Sequence, residues 1–218
     1  MKLRILGSGS DGNCYVLENE KEALIIEAGI PFMEVKKALN FNVMKIVGVA
    51  VSHSHGDHAR YAQEYEKAGI PVFKPYVQGK IMMFPKSRFR IQVFDLVHDV
   101  PCYGFFIRHP EMGVLIYASD TEYIKWRFHD VDHILVEANY SEEYMSQIDP
   151  NYVHVMRGHM SIETVCGFLE ENNYPGLKNI VLCHLSARNA DAGEFIRKAG
   201  KIVSCPVYAA EKGLEIDL

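Results

Sequence analysis

Short runs of β-branched and aromatic residues recur along the chain, each closed by a polar or glycine-bearing stretch. "KLRIL", "CYVLE" and "EALIIEA" come first and lie close enough together to read as a meander of strands. "IVGVAV", "PVF", "RIQVFDLV", "YGFFIRH", "VLIYAS" and "HILVEA" follow, and "NIVLCHLS" is the final strand before the last helix. Between these runs the apolar period changes from two to about 3.6. "PFMEVKKALN" has proline in a first-turn position and apolar spacings of three and four, which predicts a helix. "DHARYAQEYEKAG" ends in the glycine expected beyond a helix C-terminus. "SIETVCGFLEEN" opens on a capping serine, with Glu163 and Thr164 in its first turn. "ARNADAGEFIRKAG" closes as the second helix does. Strands dominate early, and strands and helices mix later. The layered solution that buries one face of every element is two sheets covered by helices, an α+β fold.

The length of 218 residues is ample for a substantial core, and no linker, repeat or low-complexity tract divides it, so one domain over residues 1–218 is expected. Apolar residues at 48% and charged residues at 23% describe an ordinary globular protein. No apolar stretch approaches the ~18–20 residues of a membrane span, and "MKLRILGSGSDGNC" lacks the layout of a secretory signal. The five cysteines are odd in number and form no CxxC, the pattern of free thiols in a reducing compartment. A cytoplasmic protein without a membrane partner is expected. The net charge of −5 means the surface as a whole does not attract nucleic acid. Nothing in the pattern specifies an oligomeric state.

One stretch departs from this ordinary background. "SHSHGDH", Ser52 to His58, packs three histidines and an aspartate behind the apolar run "KIVGVAV". His53 and His55 are two apart, so their side chains leave one face if strand geometry persists. Gly56 lets the chain turn before Asp57 and His58, and a helix begins there. Two pairs of ligand-type side chains then point to adjacent places. Imidazole and carboxylate are ligands for Zn²⁺ and also accept Mn²⁺ or Fe. His109, His129, His133 and His154 lack such company and are read as structural or solvated.

The segment His53-Ser54-His55-Gly56-Asp57-His58 resembles the signature of the metallo-β-lactamase superfamily. The resemblance implies a four-layer αββα sandwich with a metal site at one edge of the two sheets. It also implies a later His, Asp and His at strand ends, which His98 in "FDLVHDV", Asp120 in "LIYASDTEY" and His184 in "IVLCHLS" supply. Two divalent metal ions, Zn or Mn with Fe as a further option, are then expected. His53, His55 and His98 would hold one, Asp57, His58 and His184 the other, and Asp120 would bridge. Such a pair lowers the pKa of a shared water and clamps a phosphate oxygen. Asp57 would also orient that water and take its proton.

Further stretches narrow the resemblance. "LGSGSDGNC" alone reads as a hairpin turn, but phosphodiesterases of the superfamily carry a similar stretch at the site edge. Ser8, Ser10 and Asn13 would then hold turns or donate to a phosphate. "LVEANYSEEYM" and "RGHMS" are similar to stretches of the tRNA 3′-processing branch, where a Glu orients a His that protonates the leaving oxygen. Glu137 and His159 fall at those positions, and the carboxylate would raise the imidazole pKa. Without the resemblance, they read as a solvated strand end and a helix cap. Together with "CHLSARNA", these motifs most resemble the YycJ/WalJ-like branch of DNA exonucleases acting from 5′ ends. Asn139, Ser161, Ser186, Arg188 and Asn189 complete the substrate-contact candidates. Ser54 stands where that family often has an acid, "EAG" with Glu27 replaces "DAG", and the stretch between Tyr140 and Arg157 is compact.

The expected activity is metal-dependent phosphodiester hydrolysis, with DNA preferred to RNA as the substrate and a 5′-end exonuclease foremost. A phosphodiesterase for cyclic or short nucleotides is the alternative, favoured by the negative charge. A thioester hydrolase and a non-enzymatic metal-binding protein stand behind these, the latter because no ligand is missing. Lys86, Arg88 and Arg90 in "PKSRFR" form a short basic patch that either faces nucleic acid or is a solvated edge strand.

Overall fold

In the computed structural model, which describes residues 1–85, 87–145 and 152–218, the apolar runs pair into two mixed sheets. The first contains β1 (Lys2–Gly7), β2 (Cys14–Glu18), β3 (Ala23–Ile26), β4 (Ile46–Ala50) and β5 (Val72–Phe73) in chain order. β1, β2 and β3 form the antiparallel meander, and β4 and β5 join in parallel. Parallel neighbours need crossovers, supplied by α1 (Phe32–Ala38) and by α2 (Gly56–Ala59) with α3 (Ala62–Lys67). A short helix α4 (Pro75–Gln78) leads to the second sheet.

There β6 (Ile81–Met83), β7 (Arg90–Asp95), β8 (Tyr103–His109) and β9 (Gly113–Ala118) are antiparallel. β10 (His133–Glu137), β11 (Asn179–Cys183) and β12 (Val207–Ala209) continue in parallel. The crossovers are α5 (Tyr152–Gly158), α6 (Ile162–Glu171) and α7 (Ala192–Ala199). β13 (Glu215–Asp217) then returns to pair with β1.

Three apolar clusters define the layers. Leu3, Tyr15, Leu17, Phe105 and Tyr117 pack between the sheets. Phe32, Val35 and Tyr65 cover the outer face of the first sheet through Val16, Ile25 and Val49. Ile162, Val165, Leu169 and Phe195 cover the second through Ile116, Val136 and Leu182. This is the expected αββα order. Among the described residues no helix is long and apolar enough to cross a membrane, and all five cysteines are free.

Some boundaries differ from expectation. The helix predicted over 187–200 begins only at Ala192, because the Asp191 carboxylate caps it by accepting from the Glu194 amide at 2.8 Å. The second predicted helix splits into α2 and α3, since Tyr61 donates its amide to the Ala28 carbonyl at 2.9 Å instead of extending the ladder. β12 and β13 follow the strand expected to be the last. Of the basic patch, Arg88 lies 3.9 Å from Glu111 and Arg90 donates to the Ser87 and Phe89 carbonyls, while Lys86 lies outside the described residues.

A buried polar pin joins the sheets at the end of β3 opposite Glu27. Glu22 accepts from Ser87 Oγ at 2.6 Å, from the Arg88 amide at 3.2 Å and from His109 Nε2 at 3.0 Å. The Glu111 amide donates to His109 Nδ1, which puts the ring proton on Nε2. Burial pushes the Glu22 carboxyl up, but the hydrogen bonds from Ser87 and His109 outweigh it and hold the group below its ordinary range. A depressed folded pKa stabilises above the unfolded value of about 4.3 and is lost as pH falls through the folded one. Thermal melts between pH 3 and 6 should therefore drop more steeply for the native chain than for Glu22→Gln. Parallel profiles would remove Glu22 from acid stability.

Candidate metal centre

Strand ends from both sheets converge on one edge of the sandwich. β4 ends at Ala50, and the chain passes through His53 and His55 before the short helix α2 presents Asp57 and His58. His53 and His55 thus lie beyond the strand, with ring centroids 4.8 Å apart. His98 follows β7, Asp120 follows β9, Glu137 closes β10 and His184 follows β11. Glu27, Asp120 and His184 adopt φ of 66°, 55° and 53°. Non-glycine residues rarely take the left-handed region, and such strain gathers at functional sites. Here each kink turns a side chain off its strand into the shared edge.

Ligand-type atoms of His53, His55, His98 and Asp120 all lie within 4.8 Å of one another, as do those of Asp57, His58, Asp120 and His184. Asp120 belongs to both groups and divides its oxygens between them. Its Oδ2 faces His53 Nε2 at 3.7 Å and His98 Nε2 at 3.9 Å. Its Oδ1 faces His58 Nε2 at 3.3 Å and His184 Nε2 at 3.6 Å. A third group, Asp120, Glu137, His159 and His184, adjoins them.

The surrounding residues hold these rings. Ser52 Oγ lies 2.9 Å from His53 Nδ1, and the Glu27 carboxylate accepts from the Ser52 amide and lies 3.4 Å from His58 Nδ1. The longer Glu27 side chain that stands where the family has "DAG" thus reaches a nearby donor, the Ser52 amide. Asn13 Nδ2 lies 2.9 Å from His58 Nε2 and donates to Asp57 Oδ2 at 3.3 Å. Ser8 Oγ accepts from the His184 amide, and Asn139 Nδ2 donates to the His184 carbonyl at 2.8 Å.

These bonds correct part of the substrate-contact set. Asn13 and Asn139 are buried and committed to the cluster, and Ser8 is engaged by His184. Ser161 is buried as the cap of α6, accepting from the Thr164 amide at 3.1 Å. Ser186 Oγ accepts from the Arg188 and Asn189 amides and closes a turn, and the Asn189 carbonyl accepts from the Ser141 amide. Ser10 and Arg188 are exposed. The turns that carry them adjoin, since a side chain at Gly9 would meet the Leu185 carbonyl at 3.8 Å.

Glu137 is fully buried, which overturns its reading as a solvated strand end. Its Oε1 meets His159 Nδ1 at 2.6 Å, and its Oε2 accepts from the Thr121 amide at 3.1 Å. The His159 ring stacks on His184 at 5.3 Å. Burial pushes the His159 imidazole down, but Glu137 beside it prevails and holds its pKa above the ordinary value.

The electrostatics fit a divalent cation. Burial opposes the Asp120 charge, yet His184 and His58 hold its carboxyl well below the usual range. Burial opposes ionisation of Asp57 too, and hydrogen bonds from His184 and His58 overcome it. Burial, and next the charge on His58, pushes His53 down to about 2, leaving a neutral imidazole. Its Nε2 is buried, has no hydrogen-bond partner among the described residues and faces Asp120. A neutral nitrogen lone pair with no donor, beside a carboxylate that needs positive charge, suits a cation of the Zn²⁺, Mn²⁺ or Fe type.

The chain belongs to the metallo-beta-lactamase superfamily, whose family pattern matches residues 7–136. With its His/Asp clusters it is a metallo-hydrolase of that fold. Exodeoxyribonuclease WalJ of Streptococcus pneumoniae is 26% identical over 224 residues, covering 86% of this chain and 82% of the relative. Among solved structures, the metallo-beta-lactamase fold protein YhfI from Bacillus subtilis superposes with a TM-score of 0.73 at 17% identity, covering 99% of this chain and 98% of that one. Human tRNase Z, short form, gives 0.64 at 17% identity, covering 100% and 99%.

Proposed function

We propose that this chain hydrolyses phosphodiester bonds and acts on DNA from a 5′ end. The observation that carries the reading is Asp120, with one oxygen toward each histidine group, beside the Glu137–His159 pair. His53, His55 and His98 would hold one divalent ion, Asp57, His58 and His184 a second, and Asp120 both. When bound, such a pair acidifies water and neutralises charge on a phosphate.

The chain's own groups supply the rest. Asp57 stays ionised and accepts from Asn13, so it orients the attacking water and receives its proton. Glu137 fixes His159 through Nδ1, and His159 gives a proton from Nε2 to the departing alcohol. Exposed Ser10 and Arg188 on adjoining turns offer contacts to phosphate at the rim. DNA and end-directed action are favoured by the relative named an exodeoxyribonuclease.

The test is cleavage of end-labelled DNA and RNA, single- and double-stranded, with Mn²⁺ or Zn²⁺. Progressive shortening of duplex DNA from its 5′ ends is expected. Turnover of a small nucleotide ester without polymer cleavage would replace this reading with the small-molecule one, which the net charge of −5 favours. Inertness toward every phosphodiester by metal-loaded protein would end the assignment.

The role of His159 has its own test. His159→Gln should lower kcat on DNA by about 10²–10⁴-fold. On a nitrophenyl phosphodiester, whose leaving group departs unprotonated, the loss should nearly vanish. An equal loss on both substrates would make His159 a structural residue.

A further inference from the structure

The outer face of the second sheet is not helix-covered along its whole width. α6 and α7 shield β9 to β12, while β7 and β8 are crossed by the loop that leaves Asp120. That loop is pinned on both flanks. Trp126 Nε1 donates to the Asp95 carbonyl at 3.0 Å, and Arg127 Nε donates to the Glu171 carbonyl at 3.0 Å. Phe128 packs on Phe94 at 5.0 Å between ring centroids. A cavity of about 360 Å³ remains between loop and strands, floored by Phe94 and Phe106 and walled by Trp126. On the far side of Trp126 lies a second of about 280 Å³ that Tyr123 also lines.

Two properties of this groove suit one kind of occupant. Large aromatic rings stay in water there, Tyr123 at 46% and Trp126 at 41% exposure. The charge is also inverted relative to the chain, whose net value is −5. Lys80, Arg108 and Arg127 line the larger cavity against Asp95 alone. Lys80 is paired with Asp95 at 2.7 Å and Arg127 with Glu171 at 2.7 Å. Arg108 has no carboxylate within ion-pair reach among the described residues, and its guanidinium lies over Phe106 at 4.9 Å. A guanidinium resting over a ring and lacking an acid is available to a phosphate. Aromatic platforms alternating with cations form the surface on which unpaired bases stack while the backbone is neutralised. The groove is tied to the metal centre along the chain, since its loop begins at Asp120 and Asp95 stands three residues before His98.

We infer that this groove binds a single strand of nucleic acid, holding the substrate nucleotides beyond the scissile phosphate. This rests on the phosphodiesterase reading above and assigns its grip. Trp126 wedges between the two cavities and stacks a base, and Arg108 takes a phosphate.

Trp126 is the sole tryptophan, so intrinsic fluorescence reports on the groove directly. Metal-loaded protein would be mixed in a stopped-flow instrument with 5′-phosphorylated oligothymidylates of two and of twelve nucleotides. Quenching by the twelve-mer and none by the dinucleotide is expected. Trp126→Leu and Arg108→Ala should each raise KM for the twelve-mer about tenfold. Both should leave turnover of a nitrophenyl phosphodiester unchanged, and Arg108→Ala should leave the melting temperature unchanged as well. Arg108→Ala should also flatten the salt dependence of KM. Normal cleavage of the twelve-mer without quenching, or unchanged KM in both variants, would overturn the groove and leave the nuclease reading standing. Quenching without cleavage of any nucleic acid would keep the groove and remove the nuclease reading. Equal quenching by polyglutamate would show a face that reads charge alone and would overturn the assignment of a nucleic-acid strand.

Discussion

Asp120→Ala should abolish hydrolysis and strip the protein of metal. The residue offers Oδ2 to His53 and His98 and Oδ1 to His58 and His184, so its loss removes a partner from both proposed ion sites at once. Removing a residue that merely supports a metal ligand costs about 10–100-fold, and loss of a shared ligand should exceed that range. Asp120→Asn keeps one carbonyl oxygen and should retain part of the metal but little activity. Metal content by elemental analysis, read beside DNA cleavage, separates the two effects. Full metal content and near-native cleavage in Asp120→Ala would refute the shared-ligand assignment. The fold should survive, because Asp120 sits past the end of β9 and outside the apolar clusters.

Gly29→Ala should have the largest effect on stability. A Cβ at this position would lie 1.7 Å from the Asp57 carbonyl oxygen and 2.6 Å from the Asn13 amide. Both are backbone atoms and cannot swing aside. The same spot carries three backbone bonds: Asn13 to Asp57 at 2.7 Å, Gly29 to Asn13 at 3.0 Å and Ala28 to His58 at 2.7 Å. Relief of the clash must push α2 away from the strand ends, moving Asp57 and His58. Overpacking costs about 1–3 kcal/mol and occasionally more, so a fall of about 2–12 °C in melting temperature is expected for a chain of this size. Gly69→Ala is the control. Its φ is +76° but nothing lies within 4 Å, so the cost should stay near the about 1 kcal/mol of left-handed strain. If Gly29→Ala melts within 2 °C of the native chain, the close approach is not a determinant of the site.

The parts of this centre that were legible in the sequence sit in short stretches of chain. His53, His55, Asp57 and His58 are adjacent in the chain, so local pattern marked them, and the resemblance picked out His98, Asp120 and His184 at the ends of later apolar runs. The resemblance then paired Glu137 with His159, which lie 2.6 Å apart. What escaped depends on contacts between distant segments. Glu22, Ser87 and His109 form one buried pin, yet no spacing links them. Gly29 looks like any loop glycine until Asp57 is packed upon it. Asn139 reads from the sequence as a substrate contact, but burial gives its hydrogen bonds to His184. Asn13 and Ser161 read both as substrate contacts and as a turn holder and a helix cap, and the second reading describes the hydrogen bonds they make. The strands β6, β12 and β13, three residues each, are too short for alternation to register.

The pairing of β13 with β1 joins Lys2 to Asp217, and Ser8 reaches His184 across 176 positions. Contacts of such separation charge their loop-closure entropy before they return any burial. β13 lies beyond β1 and forms one edge of the first sheet. The cluster of seven potential ligands, drawn from segments far apart in the chain, is therefore a late product of folding. A partly made chain holds "SHSHGDH" without the framework that turns it into a coordination site. Premature capture of metal by half-folded chains is thus limited by topology, since the donor set is complete only once His184 has joined the histidines of residues 53–58.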